Sequence, residues 1–155
     1  FAEVTDDSGL NLMNIHELRY DMAVLDAFGI SRIRDKLPPI RQPGEICGRV
    51  TEKVAAETGL AAGTPVAGGL FDITACAIGT GITSPDRLCL IAGSWSINEY
   101  ISPAPVQDRD VFMNSKYCMP GYWLITEASA TSASNLEWAV SELMEGERRD
   151  AAAKG

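Results

Sequence analysis

Asp72 is the single charged side chain in the apolar, glycine-rich segment GTPVAGGLFDITACAIGTG, which runs from Gly63 to Gly81. It follows an apolar stretch of strand length and two glycines, and the residues after it are typical of a helix. An aspartate here caps the helix by accepting a free backbone N–H, or it is a functional carboxylate at the carboxyl end of a strand, where α/β sheets bind ligands. The two interpretations are compatible, because a capping aspartate can also act as a base.

A second candidate site is the sequence Gly93-Ser94-Trp95-Ser96, which lies between two apolar arms. The pattern predicts the turn of a β-hairpin. A tight turn of glycine and hydroxyl residues can offer N–H and O–H donors to a phosphate, but many such turns bind no ligand. The sequence fits neither the phosphate-loop pattern nor the dinucleotide-binding glycine pattern. We expect Trp95 to be a packing or lobe-contact residue rather than a stacking platform.

Four other polar residues have structural explanations. Ser134 and Glu137 have the spacing of a capping box, in which each side chain binds a free N–H at the start of a helix. Glu127 ends the apolar stretch YWLITEA and predicts a buried structural hydrogen bond. His16 is the single histidine and has no nucleophile beside it in the sequence, so we expect a surface or capping residue.

Composition limits the classes of partner. The 155 residues carry a net charge of −8, and their lysines and arginines are scattered, which argues against a nucleic-acid surface. No apolar run approaches the roughly 20 residues that span a bilayer, so we expect no membrane partner. The four cysteines contain no Cys-x-x-Cys pair, which argues against a zinc ribbon. Most of them lie in apolar runs, and they predict a reducing, cytoplasmic compartment.

The elements around the two candidate sites follow from periodicity and from helix-ending glycines. Helices are predicted over 20–29 and 51–59, each ending at a glycine, and an amphipathic helix is predicted over 134–144. Between them, the patterns predict hairpins over 87–101 and 117–128, the second turning at Pro120-Gly121. The change from helices to hairpins falls near residues 80–87, and we expect two lobes to meet there.

These segments together resemble the FGGY family of carbohydrate kinases. The strongest likeness is TGLAAGTPVAGGLFDITACAIGTG, which is similar to the family's TGL-x-x-GTPV-x-x-G-x-x-D segment. The stretches VTDDSGLNLMNI, LPPIRQPGEICGRVT and LIAGSWSINEYI resemble further family segments. The sequences GGLFD, GSW and EASATSASNLEW look most like the L-xylulose kinase branch.

The resemblance implies an α/β fold, namely a fragment of the actin-like, ribonuclease H-like two-lobed ATPase fold. Residues 1–82 are then the C-terminal part of the first, sugar-binding lobe, and residues 83–155 are the N-terminal part of the second, nucleotide-binding lobe. The chain begins without Met and lacks the family's amino-terminal phosphate hairpin. We therefore expect a central fragment of a longer kinase that is inactive alone.

The resemblance also implies roles for particular residues. Asp72 is implied as the general base, as a sugar contact together with Phe71, and as a contact of the magnesium ion. Gly93 and Ser94 are implied as contacts of the nucleotide phosphates. Ala133 and Glu137 fall where the glycerol kinase branch has a nucleotide-contacting Gly and a Gln, so both depart from that pattern.

The implied reaction is the ATP- and Mg²⁺-dependent phosphorylation of a sugar hydroxyl. The expected substrate is a ketopentose such as L-xylulose, and the alternatives are erythritol, glycerol or D-xylulose. A homodimer in the cytoplasm is the expected assembly. A non-catalytic regulator or scaffold that keeps the actin-like fold is the competing hypothesis.

Overall fold

The computed structural model describes residues 1–153. Within this range the strands are β1 Ala2–Glu3, β2 Met13–Asn14, β3 Arg19–Tyr20, β4 Ile40–Arg41, β5 Ile46–Arg49, β6 Pro65–Ala67, β7 Cys89–Ala92, β8 Ser96–Ser102, β9 Met113–Lys116 and β10 Trp123–Ser129. The helices are α1 Val4–Asp7, α2 Met22–Ala27, α3 Glu52–Thr58, α4 Asp72–Gly79, α5 Ala133–Leu143 and α6 Glu145–Ala153, with a 3-10 helix at Ser31–Lys36. The mixed α/β class agrees with the prediction.

The largest sheet has the strand order β7-β8-β10-β9, and each neighbouring pair is antiparallel. The pair β7–β8 is the first predicted hairpin. The pair β9–β10 is the second, but its first arm lies at Met113–Lys116, ahead of the predicted range 117–128. In the second hairpin, Gly121 has a φ of +86°, which glycine adopts without strain. The Pro120-Gly121 turn is therefore confirmed.

A hydrophobic core lies between this sheet and α4. Its buried members are Ala77, Ile82, Cys89, Ile101, Tyr117 and Leu124. The Tyr117 hydroxyl donates a 2.7 Å hydrogen bond to the Ile82 carbonyl, so the chain that leaves α4 is fixed to the sheet. Burial raises the pKa of Tyr117 above its usual value, which keeps this donor protonated. The helix that begins at Asp72 therefore rests on the sheet that carries the Gly93-Ser94 turn.

The first half of the chain forms smaller units. Strands β1 and β4 pair in parallel, and β2–β3 and β5–β6 pair antiparallel. The predicted helices are present as α2 and α3, and Gly29 and Gly59 follow them with φ values of +67° and +79°. The Thr51 hydroxyl caps α3 by accepting the Val54 N–H at 3.3 Å. These local predictions are confirmed.

Two local predictions are wrong. The Ser134 hydroxyl does not cap α5, because it donates to the Ser94 carbonyl, and the residue at the cap is Ser132. Glu127 is exposed rather than buried, because both faces of β10 are covered only from Trp123 to Thr126 and Glu127 is the first residue beyond that stretch. His16 is exposed as expected, and its ring lies 5.5 Å from that of Trp123.

Two findings concern the whole described range. The four cysteines, Cys47, Cys76, Cys89 and Cys118, are free thiols, and Cys89 is buried. No helix within residues 1–153 combines the length and the apolar character needed to cross a membrane.

Candidate active site

Asp72 is the first residue of α4 and is exposed to solvent. The preceding residue, Phe71, takes the cap position with φ −56° and ψ 140° and makes no side-chain capping bond. The Asp72 carboxylate accepts the Ile73 N–H at 2.7 Å. Asp72 therefore binds a free backbone amide at the start of the helix, as predicted, but it is the first helical residue and not the cap residue. Negative charge is favoured in the first turn, because the N-terminal end of a helix carries partial positive charge.

The segment before Asp72 is held by close backbone contacts. The Phe71 N–H donates to the hydroxyl of the buried Thr5 at 3.0 Å. A Cβ atom at Gly68 would lie 3.1 Å from the Gln42 carbonyl oxygen, and Gly69 has a φ of +92°. The two glycines thus allow the chain to pass close to its own backbone and to turn sharply before the helix.

The Gly93-Ser94 turn joins β7 to β8, as the sequence predicts. The Gly93 N–H donates to the Trp95 carbonyl at 3.0 Å, which closes the turn. Trp95 is 47% exposed, so it is not packed within residues 1–153, and its other predicted role, in lobe contact, stays a prediction. Ser94 is also exposed, and no hydrogen bond of the described residues uses its hydroxyl.

The start of α5 is bonded to this turn. The Gly93 carbonyl accepts the Ala133 N–H at 3.0 Å. The Ser94 carbonyl accepts the Ser132 N–H and the Ser134 hydroxyl, each at 3.0 Å. The structure therefore brings Ala133 to the Gly93-Ser94 turn, although Ala133 lies about 40 residues later in the chain. Glu137 lies on the same helix and is exposed.

Glu99 is a buried carboxylate of the sheet that was not found from the sequence. It lies on β8 with no exposed surface, and neither of its carboxylate oxygens has a hydrogen-bond partner among residues 1–153. Burial, and then the charge of Asp72, raise the pKa of Glu99 to about 7. The signal was the alternation Ile97, Glu99, Ile101, which assigns a glutamate to the inward face of the strand.

Comparisons with known proteins identify the family to which this fold and this candidate site belong. Residues 1–79, just over half of the chain, match the N-terminal domain of the FGGY family of carbohydrate kinases. The chain belongs to the FGGY family. The matched range ends with α4, so it contains Asp72 and the segment that holds it.

Curated FGGY proteins match beyond that domain. A probable L-xylulose kinase of Pasteurella multocida is 39% identical over 142 residues, which cover 91% of this chain and 29% of the relative. The L-xylulose/3-keto-L-gulonate kinase of Escherichia coli is 38% identical over 139 residues, covering 88% and 28%. The chain therefore spans less than a third of the length of these relatives.

The fold is also that of the family. A xyloylose kinase from Brucella ovis superposes with a TM-score of 0.78 at 24% identity, over 92% of this chain and 29% of that protein. This confirms that the α/β elements form part of the actin-like, ribonuclease H-like FGGY fold. The likeness to an L-xylulose kinase branch, which the sequence indicated, agrees with the names of the curated relatives.

Proposed function

We propose that the complete protein is an ATP-dependent carbohydrate kinase that phosphorylates a hydroxyl of a ketopentose such as L-xylulose. The observation that carries the proposal is the family match of residues 1–79, which ends in a helix that begins with an exposed carboxylate, Asp72. The names of the curated relatives favour L-xylulose over erythritol, glycerol or D-xylulose.

Asp72 is the proposed general base. Phosphoryl transfer requires mainly positioning and charge stabilisation, with a carboxylate that accepts the proton of the attacking hydroxyl. An exposed carboxylate at the start of α4 is accessible to a sugar hydroxyl. Phe71, whose side chain is half-buried beside it, is the proposed sugar contact.

Ser94 and Gly93 are the proposed contacts of the nucleotide phosphates. Their carbonyls are bonded to the start of α5, and the Ser94 hydroxyl remains available for a phosphate oxygen. Ala133 and Glu137 stay proposed nucleotide contacts. The Ala133 N–H already donates to Gly93, so any contact of Ala133 with nucleotide uses its other atoms.

Asp72 is also the proposed protein contact of magnesium. Mg²⁺ prefers oxygen ligands and commonly binds one or two carboxylates together with substrate phosphates. Within residues 1–153 no group of three or more metal-ligating side chains is present, and Asp72 is the carboxylate that the family resemblance assigns to the ion. When bound, the ion would neutralise charge on the phosphates.

The domain division stays part of the proposal. Residues 1–82 belong to the sugar-binding lobe and residues 83–155 to the nucleotide-binding lobe, so Asp72 and Ser94 lie on opposite walls of one cleft. Cytoplasmic location and a homodimer are likewise proposed.

The decisive experiment is Asp72→Asn in the complete protein, assayed by L-xylulose-dependent release of ADP. General-base catalysis contributes about 10²–10⁴-fold, so we expect kcat to fall by about that factor. Asp26→Asn is the matched control, because Asp26 is an exposed carboxylate on α2, and it should leave kcat unchanged. Near-normal turnover by Asp72→Asn would refute the catalytic assignment.

A non-catalytic scaffold is the second candidate function. It is favoured by Ala133, which replaces the glycine of the glycerol kinase branch and whose amide is already bonded to Gly93. Calorimetric titration of the complete protein with ATP analogues and a panel of ketoses and polyols separates the two candidates. A scaffold shows no binding of sugar, and a kinase binds both ligands.

A further inference from the structure

We propose that Thr5 is a positioning residue for Asp72, acting through the backbone of Phe71. The inference rests on the proposed function, because it assigns Thr5 a part in the placement of the general base. Thr5 lies 66 residues before Phe71 in the chain, and its side chain has no exposed surface.

The Thr5 hydroxyl makes two hydrogen bonds. It accepts the Phe71 N–H at 3.0 Å and donates its own proton to the carboxylate of Glu3. A hydroxyl has one proton and two lone pairs, so it can donate to Glu3 and accept the Phe71 N–H at the same time. Glu3 is itself buried and also accepts the backbone N–H of Thr5 at 3.0 Å. A carboxylate acceptor makes this a charge-assisted, oriented network.

The Phe71 backbone passes this orientation to Asp72. The Phe71 carbonyl accepts the Ala75 N–H at 2.8 Å, which is the first backbone hydrogen bond of α4. Phe71 is therefore bound on both sides, by Thr5 at its amide and by the helix at its carbonyl. Asp72 follows directly, and its carboxylate is held by the Ile73 N–H. A shift of the Phe71 amide would displace the carboxylate with the start of the helix.

The same short segment also contacts the large sheet. The Ser8 hydroxyl donates to the Thr5 carbonyl at 3.0 Å and accepts the Lys116 N–H at 2.9 Å. Lys116 ends β9, in the sheet that carries the Gly93-Ser94 turn. Residues 3–8 therefore link the start of α4 to that sheet, and Thr5 is the link that reaches the base.

The test uses Thr5→Val in the complete protein, because valine keeps the shape of threonine and removes the hydroxyl. A displacement near 1 Å can cost about 10²-fold in rate, so we expect kcat to fall by about 10- to 100-fold. The KM for ATP should change less than about two-fold, because Thr5 does not contact the phosphate turn. Thr5→Ser keeps the hydroxyl and should stay within about three-fold of the wild-type kcat.

Thr126→Val is the matched control for loss of a buried hydroxyl. Thr126 is buried on β10, and its hydroxyl has no hydrogen-bond partner among the described residues. We expect its kcat to equal that of the wild type. An equal loss in Thr126→Val and Thr5→Val would overturn the inference.

A double-mutant cycle with Asp72→Asn distinguishes positioning from general loss of structure. If Thr5 acts through the base, Thr5→Val should lower kcat no further in the Asp72→Asn background. The same fold loss in both backgrounds contradicts the inference. Should Thr5→Val fail to fold, Thr5→Cys takes its place, since a thiol is a weak acceptor of similar shape to serine.

Amide hydrogen exchange gives a readout that does not depend on turnover. Loss of the Thr5 acceptor should speed exchange at the Phe71 amide in Thr5→Val but not in Thr5→Ser. If the wild-type protein shows no sugar-dependent ADP release, the proposed kinase function fails, and this measurement still decides whether Thr5 holds the segment. Unchanged protection at Phe71 in Thr5→Val would overturn the inference in either case.

Discussion

Glu99 has unusual surroundings for a glutamate, because glutamate side chains are ordinarily exposed to solvent. It is fully buried on β8, and its carboxylate oxygens have no partner within residues 1–153. An unpaired charge is costly in such a place, so burial raises its pKa from 4.5 to about 7, with a further contribution from Asp72. The titratable groups that act with it are Asp72 on α4 and Tyr117 after β9, with Cys89 opposite it on β7.

The raised pKa predicts a stability that falls as the pH rises. The folded protein holds the Glu99 proton more tightly than the unfolded chain, so this stabilisation is fully present below pH 4.5 and is lost as the pH passes through about 7. The corresponding loss in unfolding free energy is about 3 kcal/mol. In Glu99→Gln, which mimics the neutral carboxyl, denaturant unfolding at pH 5 and pH 8 should show a smaller decline than in the wild type.

The control for this measurement is Glu127→Gln, which removes an exposed carboxylate from the neighbouring strand β10. It should keep the wild-type dependence on pH. A parallel decline in the wild type and in Glu99→Gln would show that Glu99 does not titrate with folding.

Residues in local motifs could be predicted, and residues defined by distant contacts could not. Asp72 and Ser94 were found because glycine spacing and apolar arms surround them in sequence. Thr5 is 66 residues from the amide that it binds, and no local pattern links the two. Glu99 could have been noticed from its inward position between Ile97 and Ile101. Its missing partners could not, because they depend on tertiary packing.

At the scale of elements, the contact between α5 and the Gly93-Ser94 turn was not predicted from the sequence, and Ser134 was assigned to a capping box instead. Hairpin turns and glycine-ended helices were predicted correctly, because their signals lie within a few residues. The capping box failed because the Ser94 carbonyl, 40 residues away, lies within 3.0 Å of the Ser134 hydroxyl. The helix start thus serves to hold the turn.

This contact predicts a role for Ser134 in nucleotide affinity. Removal of one hydrogen bond of about 1 kcal/mol should loosen the turn, so Ser134→Ala in the complete protein should raise the KM for ATP about five-fold. The measurement is ADP release at varied ATP and saturating sugar. Ser141→Ala is the matched control, since the Ser141 hydroxyl donates to the Glu137 carbonyl within the same helix at 2.8 Å. An unchanged KM in Ser134→Ala would mean that backbone bonds alone hold the turn.

At the scale of the whole molecule, large apolar side chains remain at the surface of residues 1–153. On α5, Leu136 is 67% exposed, Trp138 is 59% exposed and Leu143 is 69% exposed. Monomeric proteins rarely leave large apolar patches uncovered. The chain spans 29% of the Pasteurella relative, and in a protein of that length further segments are available to cover these faces.

The isolated chain of 155 residues should therefore bind a dye for apolar surfaces and release no ADP in response to L-xylulose, whereas the complete protein should turn over. Asp72 and Ser94 both lie within these residues, so absence of activity cannot come from absence of the proposed base or phosphate contact. It would follow from sugar and adenine contacts that the family resemblance assigns to other segments. Addition of the remaining segments in trans should reduce dye binding if they cover α5. Sugar-dependent turnover by the isolated chain would instead mean that this fragment already contains a complete active site.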